Sequence, residues 1–307
     1  MKLSIVTTLY KSEGFVQEFY ERVHKTTLKI TEDYEIIFVN DGSPDYSRLK
    51  VLEIRDKDTN VKLVDLSRNF GHHYAIQAGL SISDGDIVFL IDCDLETPPE
   101  VLEKLYAVFD NKEKFDVVYA YQEVRKGNWF EQVSGDMFYT FLNALSETLI
   151  PRNILTERIM RKKYVDSLLE LGDANLFLGG MMYWVGYHQK GIPISKSQRK
   201  GKSTYTLKKR ISLLINAVAS FSAKPLTWLF NFGVIISLLS FVTGGLLILV
   251  KMYYGEQIQV GWTSLLVINI LILGIISTFL GVIGIYMYKI FKQVQNRPNF
   301  IIKKIYE

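Results

Sequence analysis

Two carboxylates, Asp92 and Asp94, flank the only cysteine of the chain, Cys93, at the end of the strongly hydrophobic run DIVFLIDCD. Hard oxygen ligands of this kind favour Mg2+ or Mn2+, and an ion held by them would neutralise a diphosphate. Pro98 and Pro99 follow, which supports an irregular turn and then a helix start, so that both carboxylates can reach one ion. A bare D-x-D is also what a solvated acidic turn looks like, and the pair draws its weight from the segments around it.

One of these is IIFVNDGSPD, which sets Asp41 just past a buried strand and ahead of Gly42, Ser43 and Pro44. A carboxylate there can accept hydrogen bonds from a base or a ribose, while the glycine permits a tight turn with exposed backbone N–H groups. Asp45 reads as a helix cap. In LSRNFGHHYAIQAGL, Asn69 and Gly71 precede a helix whose N-terminus offers its positive dipole end to phosphate. His72 and His73 lack the i, i+4 spacing of a helical zinc site and read as supporting or structural residues.

The elements that must position these loops alternate in type. The runs LSIVTTLY, EIIFVND, VKLVDLS, DIVFLIDCD and FDVVYAY predict strands, with helices expected from about Ser12, Pro44, Gly71 and Pro98 or Pro99. Such alternation predicts an α/β domain with a mostly parallel sheet and helices on both faces, whose ligands bind at the carboxyl ends of the strands. Beyond Gly127 the alternation stops. The stretch WFEQVSGDMFYTFLNALSETLI predicts an amphipathic helix, residues 155–198 predict short strands around a helix, and 206–222 predicts a second amphipathic helix.

At 307 residues with 48% hydrophobic and 22% charged content, the chain suits a soluble part joined to a membrane part. No charged residue occurs from Pro225 to Val250 or from Gln257 to Tyr288, and each run is long enough to cross a hydrocarbon core roughly 30 Å thick. Two transmembrane helices are expected. Basic residues crowd before the first span and after the second, which predicts that both ends are cytoplasmic. One cysteine excludes an internal disulfide and a thiolate metal cluster. The net charge of +4 is concentrated beside the spans, which fits anionic headgroups or a phosphorylated substrate; no motif for reading nucleic acid is present.

The segments NDGSPD (40–45), RNFGHHYAIQAGL (68–80), GDIVFLIDCDLETPPE (85–100), WVGY (184–187), RKGKSTY (199–205) and SFSAKPL (220–226) together resemble the family 2 glycosyltransferases of GT-A fold. Within them the resemblance is to the polyprenyl-phosphate branch, which includes dolichol-phosphate mannose synthase and bactoprenol glucosyltransferase. It implies that Asp41, with Gly42, Ser43, Asn69 and Gly71, holds the nucleotide of a UDP- or GDP-linked sugar. It places Asp92 near the sugar, and Asp94 on Mg2+ or Mn2+ with Asp92 beside it. Arg199, Lys202, Ser203 and Tyr205 fall on the pattern R-x-x-G-x-S-x-Y and would meet the diphosphate or the acceptor phosphate, with Arg158 as a further phosphate contact. Arginine suits bidentate phosphate contacts, and this segment lies just before the first apolar run.

The chain departs from that family in two places. Thr8, Tyr10, Lys11 and Ser12 stand where a P-x-Y-N-E signature is usual, and Thr156, Glu157, Arg158 and Ile159 stand where the branch often has Asp-Phe-Arg-Leu. A hydroxyl acceptor needs a general base, whereas a phosphate monoester is already ionised at pH 7, so the missing Asp favours a phosphate acceptor. Glu96 or Glu157 are the carboxylates that would serve a hydroxyl acceptor, Glu96 being the catalytic candidate carried here.

The expected organisation is a glycosyltransferase domain over residues 1–205, an amphipathic juxtamembrane helix over 206–224, a transmembrane hairpin over 225–288 and a cytoplasmic tail over 289–307. The expected activity is inverting transfer of a sugar to a polyprenyl phosphate at the cytoplasmic face of the inner (plasma) membrane, by a homo-oligomer. Two rivals stay open: extension of a lipid-linked saccharide, and a non-catalytic membrane module. A processive synthase is disfavoured because Gln198 and Arg199 are not followed by the Trp of a Q-x-x-R-W motif.

Overall fold

The computed structural model describes residues 1–110, 115–122, 140, 143–144, 151, 153–174, 176–194, 218–219, 222–254 and 262–307. Its first four strands are β1 (Leu3–Leu9), β2 (Tyr34–Asn40), β3 (Val61–Leu66) and β4 (Ile87–Leu90). They are short apolar runs, buried almost throughout, as strands covered on both faces must be. β4, β1, β2 and β3 pair in parallel, in that order across the sheet. Helices α1 (Val16–Thr27), α2 (Ser47–Arg55), α3 (His72–Ile82) and α4 (Val101–Phe109) connect or follow them.

The sheet continues through β5 (Val117–Tyr121), β6 (Ile154–Arg161) and β7 (Gln189–Pro193), and ends on β8 (Ile302–Tyr306), giving the order β7-β5-β6-β4-β1-β2-β3-β8. β6 runs antiparallel to both β4 and β5, while β7 is parallel to β5, so the sheet is mixed around a parallel centre. Helices α5 (Lys162–Glu170) and α6 (Leu178–Trp184) lie between β6 and β7.

Two apolar layers enclose the sheet. On one face Ile5, Phe38 and Phe89 meet Phe19 of α1, Ile54 of α2 and Leu105 of α4. On the other, Val6, Val39 and Leu90 meet Ala75 and Ile76 of α3, Tyr164 of α5 and Met181 of α6. Gly79 lets α3 lie close on β1 and β2, because a Cβ there would sit 2.5 Å from Val6 Cγ1 and 2.8 Å from Val39 Cγ2.

Both apolar runs form long helices, α7 (Lys224–Tyr254) and α8 (Trp262–Val294). Among the described residues one segment, Ile272–Val294, is long and apolar enough to cross a membrane. The chain after α8 then turns back. β8 pairs antiparallel with β3, with Leu63 opposite Tyr306 and Asp65 opposite Lys304, so the expected tail supplies an edge strand of the sheet. The stretch 128–150 lies outside the described residues apart from 140 and 143–144, and 206–222 lies outside them apart from 218–219 and 222.

Candidate active site

Parallel pairing brings the carboxyl ends of β1 to β4 to one edge, and the loops there collect the residues singled out in the sequence. Asp41 follows β2 and is 3% exposed. Its Oδ1 accepts the N–H of Phe70 at 2.7 Å and its Oδ2 the N–H of Gly71 at 3.0 Å, while Asn69 Nδ2 donates to the Asp41 carbonyl at 3.1 Å. The Gly71 N–H, expected to face phosphate, thus meets a carboxylate of the protein itself. A helix N-terminus attracts an anion whatever its source, and Asp41 is the anion that the fold supplies.

Gly42 has φ +59, and a Cβ there would lie 2.6 Å from the Asn69 nitrogen and 2.7 Å from the Arg68 carbonyl carbon. This close approach locks the 41–45 loop onto the 67–71 loop. Ser43 serves the same junction: its Oγ accepts the Lys11 N–H at 2.7 Å and donates to Asp45 Oδ1 at 2.6 Å. Asp45 also accepts from Ser47 N, Ser47 Oγ and Glu13 N, which supports the start of α2 in the manner of a cap. Burial pushes its carboxyl up, but the hydrogen bonds from Ser43, Ser47 and Glu13 outweigh that and hold it at about 2.

Strand β4 ends at Leu90, and the turn that follows buries Cys93 between Asp92, which is partly exposed, and Asp94, which is exposed. Asp94 Oδ1 accepts the Glu96 N–H at 3.0 Å, bridging Leu95, whose φ of +58 is uncommon for a residue with a side chain. Glu96 is partly exposed. Burial, then the neighbouring Asp94 and Asp92, push the Cys93 thiol up, so it is an inert apolar filler.

His72, the first residue of α3, links these loops. Its Nε2 stands 3.4 Å from Asp92 Oδ1 and its Nδ1 3.1 Å from Thr8 Oγ1 at the end of β1. Burial lowers its imidazole below the ordinary value, against the opposing pull of Asp41, Asp94 and Glu157. One ring nitrogen faces Asp92 and the other faces Thr8 Oγ1, a hydroxyl that can donate or accept, so His72 ties the end of β1 to the turn after β4. His72 thus meets Asp92 and Thr8 through its side chain. The part played by Thr8 is visible only in three dimensions, since nothing in the sequence pairs it with a histidine 64 positions on.

Glu157 and Arg158 are neighbours on β6 and so face opposite sides of the sheet. Glu157 is fully buried. Arg158, expected at phosphate, is 4% exposed and directs Nε to the Thr156 carbonyl at 3.1 Å and Nη2 to the Leu155 carbonyl at 3.0 Å. Burial pushes its guanidinium down, opposed by Tyr164, Glu157 and Tyr119. It braces β6 and does not project from the loop cluster. Arg199, Lys202, Ser203 and Tyr205 lie outside the described residues.

Among the described residues no three His, Cys, Asp or Glu side chains stand grouped to hold a metal ion. Asp92 and Asp94 nevertheless fit Mg2+ or Mn2+, because such ions are commonly held by one or two carboxylates together with substrate phosphates and water. The exposed Asp94 and partly exposed Asp92 leave that coordination open to solvent.

Comparison with known proteins identifies the family. The model of the family described as "Glycosyl transferase family 2" matches residues 4–169. The uncharacterized glycosyltransferase YkcC of Bacillus subtilis (strain 168) is 35% identical over 308 residues, covering 100% of this chain and 94% of the relative. The SfII prophage-derived bactoprenol glucosyl transferase of Shigella flexneri is 30% identical over 306 residues, covering 99% of this chain and 98% of that one. Among solved structures, the mannosyltransferase PcManGT from Pyrobaculum calidifontis, in complex with GDP-Man and Mn2+, aligns over 96% of this chain and 86% of its own with a TM-score of 0.51 and 15% identity. That last likeness is one of fold.

Proposed function

The chain belongs to glycosyl transferase family 2, and on that premise we propose that it moves a sugar from a UDP- or GDP-linked donor to a polyprenyl phosphate at the cytoplasmic face of the inner membrane. The observation that carries this reading is the meeting of Thr8, His72 and Asp92 at the carboxyl edge of the sheet, two residues from the exposed Asp94, in a chain that also holds the apolar helix Ile272–Val294. The whole-length likeness to a bactoprenol glucosyl transferase supports a lipid phosphate as acceptor.

In this reading the nucleoside lies over the junction of the 41–45 and 67–71 loops, whose shape Asp41 and Gly42 maintain. Asp92, oriented by His72, faces the sugar, and Asp94 lies towards the diphosphate. Mg2+ or Mn2+ at Asp94 and Asp92 supplies charge neutralisation for the diphosphate when bound. An oxygen of the acceptor phosphate attacks the anomeric carbon in line. The bond from that carbon to the donor diphosphate breaks with its electron pair on the nucleoside diphosphate, so configuration inverts. Arg199, Lys202, Ser203 and Tyr205 are assigned to the phosphates on their sequence pattern alone. No proton needs to be removed from an ionised phosphate, and Glu96 has no obligatory role with this acceptor.

A second reading, extension of a lipid-linked saccharide, has one observation in its favour: Glu157, a carboxylate that would serve a hydroxyl acceptor, is buried on β6, the strand beside β4, which leads into Asp92 and Asp94. Donor turnover tests what the two readings share. Purified protein with Mn2+ or Mg2+, a lipid extract holding both polyprenyl phosphate and saccharide-diphosphate lipid, and a panel of nucleotide sugars should release nucleoside diphosphate from one donor, and Asp94→Asn should reduce that rate by about 100-fold without loss of folded protein. Turnover that persists in Asp94→Asn would overturn the placement of the donor.

A further inference from the structure

The end of α8 is fixed on the catalytic domain. Gln293 Oε1 accepts the Ala174 N–H at 2.9 Å, and its Nε2 donates to the Gly172 carbonyl at 3.2 Å. Asn299 Nδ2 donates to Gln77 Oε1 at 3.0 Å and to the Asp173 carbonyl at 2.9 Å, and two residues later the Ile301 carbonyl accepts the Ser67 N–H at 2.9 Å. The last turn of the apolar helix therefore has a set position beside α3.

Within that turn Lys292 points into the domain. A lysine that merely anchors a helix end extends its ammonium into bulk water or outer headgroups. Lys292 Nζ instead lies 3.3 Å from Tyr74 Oη and 5.9 Å from the centroid of its ring. Tyr74 donates its own proton to the Ala174 carbonyl at 3.1 Å, so its oxygen is the acceptor for Lys292. Among the described residues, no carboxylate lies within 4.0 Å of Lys292 Nζ. An ammonium has three donors, and a neutral phenol does not balance its charge. Lys289, half-buried like Lys292, precedes it by three residues and so shares its face, about 4.5 Å higher along the axis.

We propose that Lys289 and Lys292, held beside Tyr74, form the binding site for a phosphate monoester carried by a lipid, namely the phosphate of the acceptor. The inference rests on the proposed function. The Lys292 ammonium, with no carboxylate within 4.0 Å among the described residues, attracts a charge of the monoester, Lys289 adds positive charge on the same face, and their place at the end of a membrane-length apolar helix is the depth at which a phosphate with its chain in the bilayer stands. Tyr74 stands on α3, the helix whose first residue, His72, meets Asp92, so the site is built on the element that enters the catalytic loops.

The test uses the full chain in nanodiscs of neutral phosphatidylcholine, with undecaprenyl phosphate and the nucleotide sugar that the wild type turns over. Lys292→Ala and Lys289→Ala should each raise the acceptor KM by about tenfold, the loss expected for one charge-assisted hydrogen bond, with the donor KM unchanged. Lys292→Arg should recover most of the affinity, and Lys303→Ala, a change at an exposed lysine of β8, should behave as wild type. An acceptor KM unchanged in both alanine variants overturns the site. So does a defect that appears only when phosphatidylglycerol is added, which would assign the lysines to bulk lipid. Failure of the wild type to use undecaprenyl phosphate would overturn the acceptor reading itself, and it is distinguishable because it shows before any variant is made.

Discussion

Asp41 Oδ2 accepts the backbone N–H of Gly71 at 3.0 Å, so a side chain at the end of β2 occupies the positive end of α3 from inside the protein. One buried carboxylate thereby joins two loops and the helix that carries His72. Phosphate of a donor has to find its positive charge elsewhere, from cationic side chains or an ion at Asp94. Asp41 is in this account chiefly a shaper of the nucleotide site.

Asp41→Asn tests that role. An amide keeps one acceptor oxygen but turns an NH2 group on one of the two backbone donors, which leaves a buried N–H unsatisfied at a cost of about 1–3 kcal/mol. Thermal unfolding should fall by roughly 3–10 °C, and the donor KM should rise with it. A variant with wild-type melting temperature would contradict the structural role.

The carboxylate of Asp45 gives a dependence on pH. Its folded value of about 2 lies below the ordinary 3.8, so the stability it contributes is fully present above pH 3.8 and is lost as pH falls towards 2. Asp45→Asn should therefore destabilise the protein at pH 6, and the gap from wild type should close over the window from about pH 4 to about pH 2. Chemical unfolding curves at pH 6, 4 and 3 measure it, and a gap independent of pH would contradict the hydrogen-bonded carboxylate.

Asn299 holds the returning chain to α3. Removing its amide in Asn299→Ala deletes the bonds to Gln77 and to the Asp173 carbonyl, with an expected loss of about 1–3 kcal/mol. Because β8 covers the edge of β3, we expect faster amide exchange at Leu63 to Leu66 in the variant. Exchange confined to the tail would show that β3 does not depend on this clamp.

Much of the catalytic half was legible in the sequence because strands buried on both faces are continuous apolar runs, and four of them end at the expected polar loops. Helix starts were less so. α1 begins at Val16, four residues after Ser12, and α2 at Ser47, three residues after Pro44, since Ser12 and Asp45 first organise turns through hydrogen bonds to backbone and to each other's loops. Arg158 carried a phosphate expectation that its burial on β6 does not support. β8 was hidden because IKKIY is short and lies behind a long apolar helix, where a strand has no local signal until it meets β3. The Thr8–His72 contact was equally hidden, being a product of sheet order.

The most direct measurement is transfer into lipid. Purified protein is incubated with Mn2+ or Mg2+, undecaprenyl phosphate and radiolabelled nucleotide sugars one at a time, and the organic phase is counted. Label is expected in the lipid from one donor, as a monophosphate-linked sugar. Label that enters the organic phase only when a saccharide-diphosphate lipid replaces undecaprenyl phosphate would contradict it and establish a chain-extending transferase.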